Sequence, residues 1–119
     1  MQPTLLCMGM NPNQLMRVSF GAASLGVRVK AVRESDWGQT IGALCGLEPM
    51  NPAPQKASVD EAMIVMAFFD DALTDRMLRT LRESGQGVRL KAVLTPTNRH
   101  WTCGQLYRQL SQEAARMGR

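Results

Sequence analysis

The chain has 119 residues, 45% of them apolar, with a formal net charge of +4, as is typical of one soluble globular domain. The basic residues form no tract of five or six, so nucleic-acid binding is not expected. Three widely spaced cysteines, Cys7, Cys45 and Cys103, argue against a disulfide framework and a zinc site and favour a cytoplasmic location. There is no signal-peptide pattern, and no apolar run reaches the roughly 18 residues of a membrane helix, so no membrane partner is expected.

The first half of the chain predicts strand, helix, strand and a second helical segment. The apolar run 4–10 predicts a buried strand. Asn11 suits the N-cap, and Pro12 the first position, of the helix that follows. The hexapeptide VRVKAV, residues 27–32, predicts the second strand. It is followed by a polar turn with Trp37 and a short amphipathic segment.

The second half predicts the same succession after a proline-rich linker at residues 47–60. The apolar run 62–69 predicts a strand, and residues 70–85 predict a helix that begins with two aspartates and ends at a glycine. The hexapeptide VRLKAV, residues 88–93, predicts the last strand, and a final helix follows Trp101.

The two halves therefore resemble each other. VRVKAV recurs as VRLKAV, and Trp37 and Trp101 occupy comparable places beyond the two hexapeptides. We interpret this as an internal duplication of a β-α-β-α unit, with repeats at about 1–46 and 61–116.

The predicted fold is a single α/β domain over residues 1–119. Alternating strands and helices predict a small, four-stranded, mainly parallel sheet. The expected strand order is 2-1-3-4, with the first and third strands side by side at the centre. If a two-fold axis relates the repeats, that central pair is antiparallel instead, and the sequence leaves both arrangements open.

The stretch LTPTNRHWT, residues 94–102, joins the last strand to the last helix. Thr102 and Gln105 have the spacing of a capping box, in which each side chain bonds the other residue's amide. Asn98 suits a turn. Trp101 is expected to cover the open end of the sheet with most of its ring buried. Each of these residues thus has a structural role.

The same stretch is also a candidate binding site. In open α/β sheets, ligands lie beyond the carboxyl ends of the strands, and a helix N-terminus there attracts anions. Polar and cationic side chains follow two of the predicted strands, which indicates a small anionic or nucleotide-like ligand. The candidate ligand-binding residues are Asn11, Thr95, Asn98, Arg99, His100, Trp101 and Thr102.

The sequence contains no complete set of catalytic residues that a known motif would identify. His100 is the one histidine, and neither a nucleophile nor an acid is paired with it by a known motif. Cys103, in the first turn of a predicted helix, is expected to have a lowered pKa, but no partners for cysteine catalysis can be identified. Asp70 and Asp71 are interpreted as charges at a helix start. No catalytic residue, metal site or cofactor is predicted.

The segment LKAVLTPTNRHWT resembles the L-K-A-V-L-T-x-x-N-x-x-W-T signature of a small, uncharacterised bacterial family, a domain of unknown function. The matching residues are Leu90, Lys91, Ala92, Val93, Leu94, Thr95, Asn98, Trp101 and Thr102. The resemblance covers the second half of the chain, and the first half only through the repeat. It implies a domain identity and no particular activity.

These observations predict a non-enzymatic cytoplasmic module that binds a protein partner or a small anionic ligand at the carboxyl ends of the strands. The alternative is an enzyme acting on a phosphorylated or nucleotide-like substrate at the same place. A third hypothesis, nucleic-acid binding through the helix flank Arg76, Arg79 and Arg82, lacks the expected aromatic interleaving. Homodimerisation through an apolar helix face or an edge strand is left open.

Overall fold

A computed structural model describes residues 1–117 of the chain. The strands are β1 (Thr4–Met8), β2 (Arg28–Ala31), β3 (Met63–Ala67) and β4 (Leu90–Val93). The helices are α1 (Pro12–Ser24), α2 (Ile41–Leu44), α3 (Asp71–Glu83) and α4 (Cys103–Met117), and two 3₁₀ turns lie at Glu34–Asp36 and Asn98–His100. The predicted α/β class is confirmed. None of the helices within residues 1–117 has the length and apolar character needed to cross a bilayer.

The sheet has the predicted strand order β2-β1-β3-β4, and it is mixed. The outer strands run parallel to their neighbours, whereas β1 and β3 are antiparallel, with Leu6 opposite Val65 at the middle of the pair. Every residue of β1 and β3 is buried. This explains why both segments are continuous apolar runs, since a strand covered on both faces shows no alternation.

The antiparallel centre separates the strand ends that the sequence analysis expected to find together. The carboxyl ends of β1 and β2 lie at one end of the sheet, and those of β3 and β4 lie at the opposite end. One shared edge for the carboxyl ends of all four strands requires a parallel central pair. The antiparallel pair, which the sequence had left open as the other arrangement, places these strand ends at two opposite edges.

The helices cover the two faces of the sheet in separate layers. On one face, α1 and α3 bury Val18, Ala22, Met77 and Leu81 against a cluster that includes Leu5. The opposite face carries α2, α4 and the two 3₁₀ turns. Its buried cluster consists of Leu6, Met8, Val32, Ile41, Leu44, Val59, Met63, Val65, Leu90, Cys103 and Leu106.

Each half begins in the same way. The residue after β1 and the residue after β3, Gly9 and Phe68, both adopt left-handed backbone angles, with φ of 73° and 66°. Two residues later the side chains of Asn11 and Asp70 cap α1 and α3 by accepting hydrogen bonds from backbone amides at 2.8 Å. The cap was predicted for Asn11, whereas Asp70 was interpreted only as a charge at the helix start. At Phe68 a bulky side chain occupies a conformation that ordinarily favours glycine, which is a locally strained arrangement.

The two hexapeptides, however, are not equivalent in the sheet. Lys30 pairs with Leu6 of one core cluster, whereas Lys91 pairs with Ile64 of the other cluster. Paired residues project to the same face, so the two lysines project to opposite faces. A shift of one residue in register has this effect, because side chains alternate along a strand. The likeness of VRVKAV to VRLKAV is therefore a likeness of sequence and not of side-chain position.

Residues 47–60, which we call the connecting segment, lie against the α2–α4 layer. The side chain of Gln39 holds the segment by donating to the Asn51 carbonyl and accepting from the Asn51 amide, both at 2.7 Å. Val59 is buried in the core. The segment also passes so close to Gly38 and Gly104 that a Cβ at either position would collide with it. The linker predicted from proline content is thus a fixed part of this layer.

Candidate functional site

The corner between β4 and α4 is held by side chains that bond the local backbone. Asn98 accepts a hydrogen bond from the Thr95 amide and donates one to the Val93 carbonyl, both at 2.9 Å. Its own amide donates to the Thr95 hydroxyl at 3.0 Å. Asn98 is only 8% exposed, so these partners replace the water that it loses. The predicted turn role of Asn98 is confirmed.

The capping box at the start of α4 is also confirmed. The Thr102 amide donates to the Gln105 side chain at 2.8 Å, and the Gln105 amide donates to the Thr102 hydroxyl at 3.1 Å.

Cys103, directly after the cap, has a different environment from the one expected. Its side chain is fully buried, and desolvation raises the pKa of its thiol to about 12. The expected lowering is wrong, because burial outweighs the effect of a helix start.

Trp101 is half-buried and packs against the core cluster on the α2–α4 face. Most of its surface is covered by protein, as expected. The exposed part lines a shallow groove with Gln105 and Gln109. Trp37 is also half-buried and follows the other 3₁₀ turn, and its indole Nε1 donates to the Val32 carbonyl at 3.2 Å. Both tryptophans thus lie at a strand-to-helix corner.

Arg99 and His100 project toward a carboxylate that the sequence analysis missed. The Glu48 Oε2 atom lies 3.7 Å from Arg99 Nη2 and 3.6 Å from His100 Nδ1. The other Glu48 oxygen accepts from the Thr40 hydroxyl at 2.6 Å. Arg99 Nη2 also donates to the Leu47 carbonyl at 3.3 Å. This cluster connects the 3₁₀ turn, the start of α2 and the connecting segment, and it joins residues about 50 positions apart in sequence.

The two helix starts on this face meet each other directly. Thr40 and Thr102 form an isolated antiparallel bridge. The Ile41 amide donates to the Trp101 carbonyl at 2.8 Å, and the Cys103 amide donates to the Gln39 carbonyl at 3.2 Å. The pattern T-x-G-x-L, present as TIGAL at 40–44 and as TCGQL at 102–106, is the sequence signal that could have located this contact.

Asn11 does not join the other candidate residues. It lies beyond β1, at the end of the sheet opposite the carboxyl end of β4, and its side chain is engaged in capping α1. Thr95 and Asn98 bond each other and the nearby backbone. The candidate residues therefore form two separate sets whose polar atoms largely serve the fold. Among residues 1–117, no group of three or more His, Cys, Asp or Glu side chains is arranged to hold a metal ion.

A different surface stands out on α1. Phe20 is 73% exposed and Met16 is 53% exposed, and Ala23 is exposed on the same side of the helix. The spacing i, i+4, i+7 places the three on one stripe. We call Met16, Phe20 and Ala23 the α1 stripe. Arg17 is the one charged residue in the whole helix, so this outer face offers apolar side chains where a solvated helix usually carries charges.

The equivalent positions of α3 show what a solvated outer face looks like in this fold. Counted from the N-caps, the α1 stripe corresponds to Asp75, Arg79 and Arg82, which are all exposed. Inward-facing positions correspond as well, since Val18 and Ala22 match Met77 and Leu81 in place and in burial. The two helices thus occupy equivalent places but differ in the chemistry that they present to solvent.

A family model described as a domain of unknown function (DUF3783) matches residues 62–117, the half of the chain that carries β3, α3, β4 and α4. Neither a curated protein nor a solved structure matches the chain.

Proposed function

We propose that this chain is a non-enzymatic module that binds another protein, and that the α1 stripe is the surface that binds it. The observation that carries the proposal is the exposure of Phe20 and Met16 on a helix with a single charge. Leaving large apolar groups in water forgoes roughly 25 cal/mol per Å² of stabilisation, which a binding partner would recover. The charged face of the equivalent helix α3 supports this, since the fold itself does not require an apolar outer face.

The alternative, an enzyme acting on a phosphorylated or nucleotide-like substrate at the strand ends, is less well supported. It needs Asn11, Thr95 and Asn98 to converge on one ligand, and they lie at opposite ends of the sheet with their side chains hydrogen-bonded to backbone groups. The thiol of Cys103 is also fully buried, so it does not face a substrate at this place.

The binding proposal is tested by site-directed photo-crosslinking in cells that produce the protein. A photoreactive phenylalanine analogue replaces Phe20 in one variant and Arg79, the equivalent position of α3, in the control variant. The proposal expects a specific protein adduct from position 20 only. The adducted protein is then purified and titrated against the wild type and Phe20→Glu. An affinity unchanged by Phe20→Glu, or equal adducts from both positions, contradicts the proposal.

A second candidate function, binding of a small anion, has its own supporting observation. A cavity of about 300 Å³ lies beside the first residues of β1 and β2. It is lined by Arg28, Lys30 and Cys45 among others, and none of its lining residues is a carboxylate. The Lys30 ammonium donates to the Leu44 carbonyl at 2.9 Å, which fixes one charge at the cavity wall. These cations make the amino ends of β1 and β2 the candidate place for an anion.

Thermal unfolding in the presence of phosphate, with chloride at equal ionic strength as the reference, tests the anion candidate. Binding to the folded state raises the melting temperature by mass action. The rise should disappear in Arg28→Glu and persist in Arg89→Glu, a change to an arginine that already has an ion-pair partner in Glu61. A rise that survives Arg28→Glu would assign the anion to another place.

We also propose that the chain arose by internal duplication and works in a reducing compartment such as the cytoplasm. The duplication is supported by the shared T-x-G-x-L helix starts, by the left-handed residues Gly9 and Phe68 and by the matched inward positions of α1 and α3. The reducing compartment is supported by the three cysteines, which are all free thiols.

A further inference from the structure

We propose that the partner of the α1 stripe is a second copy of this chain, bound as a two-fold symmetric dimer in which two α1 helices pack antiparallel. The inference rests on the proposed function, because it uses the same surface and names its occupant. The inference is based on three properties of α1: the side chains around Phe20 at the centre of the stripe, the position of the one charged residue, and the composition of the last turn.

The stripe is self-complementary when two copies meet around Phe20. In an antiparallel pair related by a two-fold axis, residues equally far before and after the centre lie opposite each other. Met16 then lies opposite Ser24 of the second copy and close to its Ala23, both small and exposed. Large side chains thus meet small ones, which lets the two helices approach without a clash.

The charges of α1 are also complementary in this arrangement. Its last turn contains no basic residue, so the partial negative charge of the helix C-terminus lacks a compensating side chain within the helix. The antiparallel pairing brings Arg17 of each copy over the last turn of the other copy's helix. The contact therefore pairs two cations with two helix C-termini, and no like charges from the two α1 helices face each other.

The helix α3 cannot make the equivalent contact. Centring a pair on Arg79, the counterpart of Phe20, would bring two guanidinium groups together, with Asp75 and Glu83 as the next neighbours. The proposed dimer therefore uses one defined face of the molecule. A 13-residue helix, about 20 Å long, buries less than the roughly 800 Å² per partner of a standard stable interface. The expected association is reversible and depends on concentration in the range used for solution measurements.

Sedimentation equilibrium of the full chain, in reductant so that no disulfide links the copies, tests the proposal. The wild type is expected to show an average mass that rises from the monomer toward the dimer with concentration. Phe20→Glu should remain monomeric throughout, with an unchanged circular dichroism spectrum because its side chain is mostly exposed. Arg79→Glu, the control on α3, should associate as the wild type does. Arg17→Glu should weaken association by about three- to thirtyfold, because the dimer contains two such contacts and each has the size of a helix-terminus charge effect.

A wild type that stays monomeric at every concentration would overturn the inference, and so would a dimer that persists in Phe20→Glu. These outcomes are distinct from failure of the proposed function. A monomeric protein that still gives a specific crosslink from position 20 to a different protein keeps the binding function and excludes the self-partner. A crosslink from position 20 to the chain itself, together with a mass rise that Phe20→Glu abolishes, supports both proposals.

Discussion

At the scale of single residues, Asn98 determines the geometry of the corner between β4 and α4. Its side chain makes two hydrogen bonds, to the Thr95 amide and the Val93 carbonyl, and its backbone amide donates a third to the Thr95 hydroxyl. Aspartate has a similar shape but loses the amide that donates to the Val93 carbonyl, and alanine loses both side-chain partners. The contributions of the two functional groups can therefore be separated by substitution.

We predict that Asn98→Ala lowers the free energy of unfolding by about 1–3 kcal/mol, because it leaves the Thr95 amide and the Val93 carbonyl without their side-chain partner. Asn98→Asp should also destabilise, since it retains the acceptor and loses the donor. Urea denaturation measures both. His100→Ala, two positions along the same turn, is the control and should change stability by less than about 0.5 kcal/mol, since its side chain is two-thirds exposed. Equal effects at the two positions would contradict this account.

Trp101 has a smaller stabilising role than a fully buried tryptophan. Because its ring is half-buried against the core cluster, we predict that Trp101→Ala costs about 2–3 kcal/mol, below the 3–5 kcal/mol of a fully buried ring. Trp101→Phe should recover most of the loss. The free energies come from urea melts followed by circular dichroism. Wild-type stability in Trp101→Ala would show that the ring serves a binding role instead of a structural one.

The buried thiols give the protein a predictable alkaline limit. Burial raises the pKa of Cys103 from 9.0 to about 12, so folding disfavours its ionised form. The buried, protonated thiol therefore opposes folding only where the unfolded chain can ionise. Its full contribution to the free energy of unfolding is present below pH 9, and this contribution is lost as the pH rises toward 12. We predict that the urea midpoint falls over this interval, and that Cys103→Ala shows a shallower fall. The same slope in both proteins would assign alkaline unfolding to other groups.

At the scale of elements, the connecting segment explains two glycines that no turn requires. A Cβ on Gly38 would collide with the Gln55 carbonyl oxygen, and a Cβ on Gly104 would lie 2.7 Å from the Ala57 Cβ. Together with the clamp of Gln39 on Asn51, this close approach fixes the segment against α4. Its proline content indicated a linker between the two halves, and tertiary contacts made at a distance in sequence hold it in place.

We predict that Gly38→Ala and Gly104→Ala each destabilise the protein by about 1–3 kcal/mol, the usual cost of overpacking. Gly87→Ala is the matched control, because a Cβ there meets nothing within 4 Å and its φ is not left-handed. Replacing that glycine should be neutral or slightly stabilising. Thermal melts of the three variants are sufficient. If the connecting segment were mobile, all three variants would have similar melting temperatures, and that result would contradict the fixed contact.

At the scale of the whole molecule, stability depends on the pairing of the two halves at β1 and β3. The centre of the sheet is formed by one strand from each half, and each of these strands is buried on both faces. A separated half would expose that strand along one full edge and leave its backbone groups without partners. The halves therefore form one cooperative unit even though they share an order of elements.

We predict that the fragment 61–119 alone has little stable structure as a monomer, although the family match falls within it. Mixing it with the fragment 1–60 should restore the helical circular dichroism signal of the intact chain. Each fragment measured separately at the same concentration provides the baseline. A fragment 61–119 that unfolds cooperatively as a monomer would show that β3 does not need β1.

The sequence by itself determined the elements and their local ends. Asn11 and Thr102 accept hydrogen bonds from amides three residues further on, so these two caps could be predicted from the local sequence alone. The apolar runs 4–10 and 62–69 identified both central strands, because a strand buried on two faces must be apolar throughout. The pairing of β1 with β2 and of β3 with β4 was also expected from sequence, since each crossover helix links neighbouring strands within its own half.

Only the tertiary structure decided which strand ends share an edge and which side chains meet. The antiparallel β1–β3 pair separated Asn11 from Asn98, and no local signal distinguishes a parallel from an antiparallel central pair when both strands are buried runs. Glu48 reached Arg99 across about 50 residues, and the hexapeptide lysines came to lie on opposite faces through a one-residue shift. These outcomes depend on contacts between distant segments, whose free energies are set by the packing of the whole sheet.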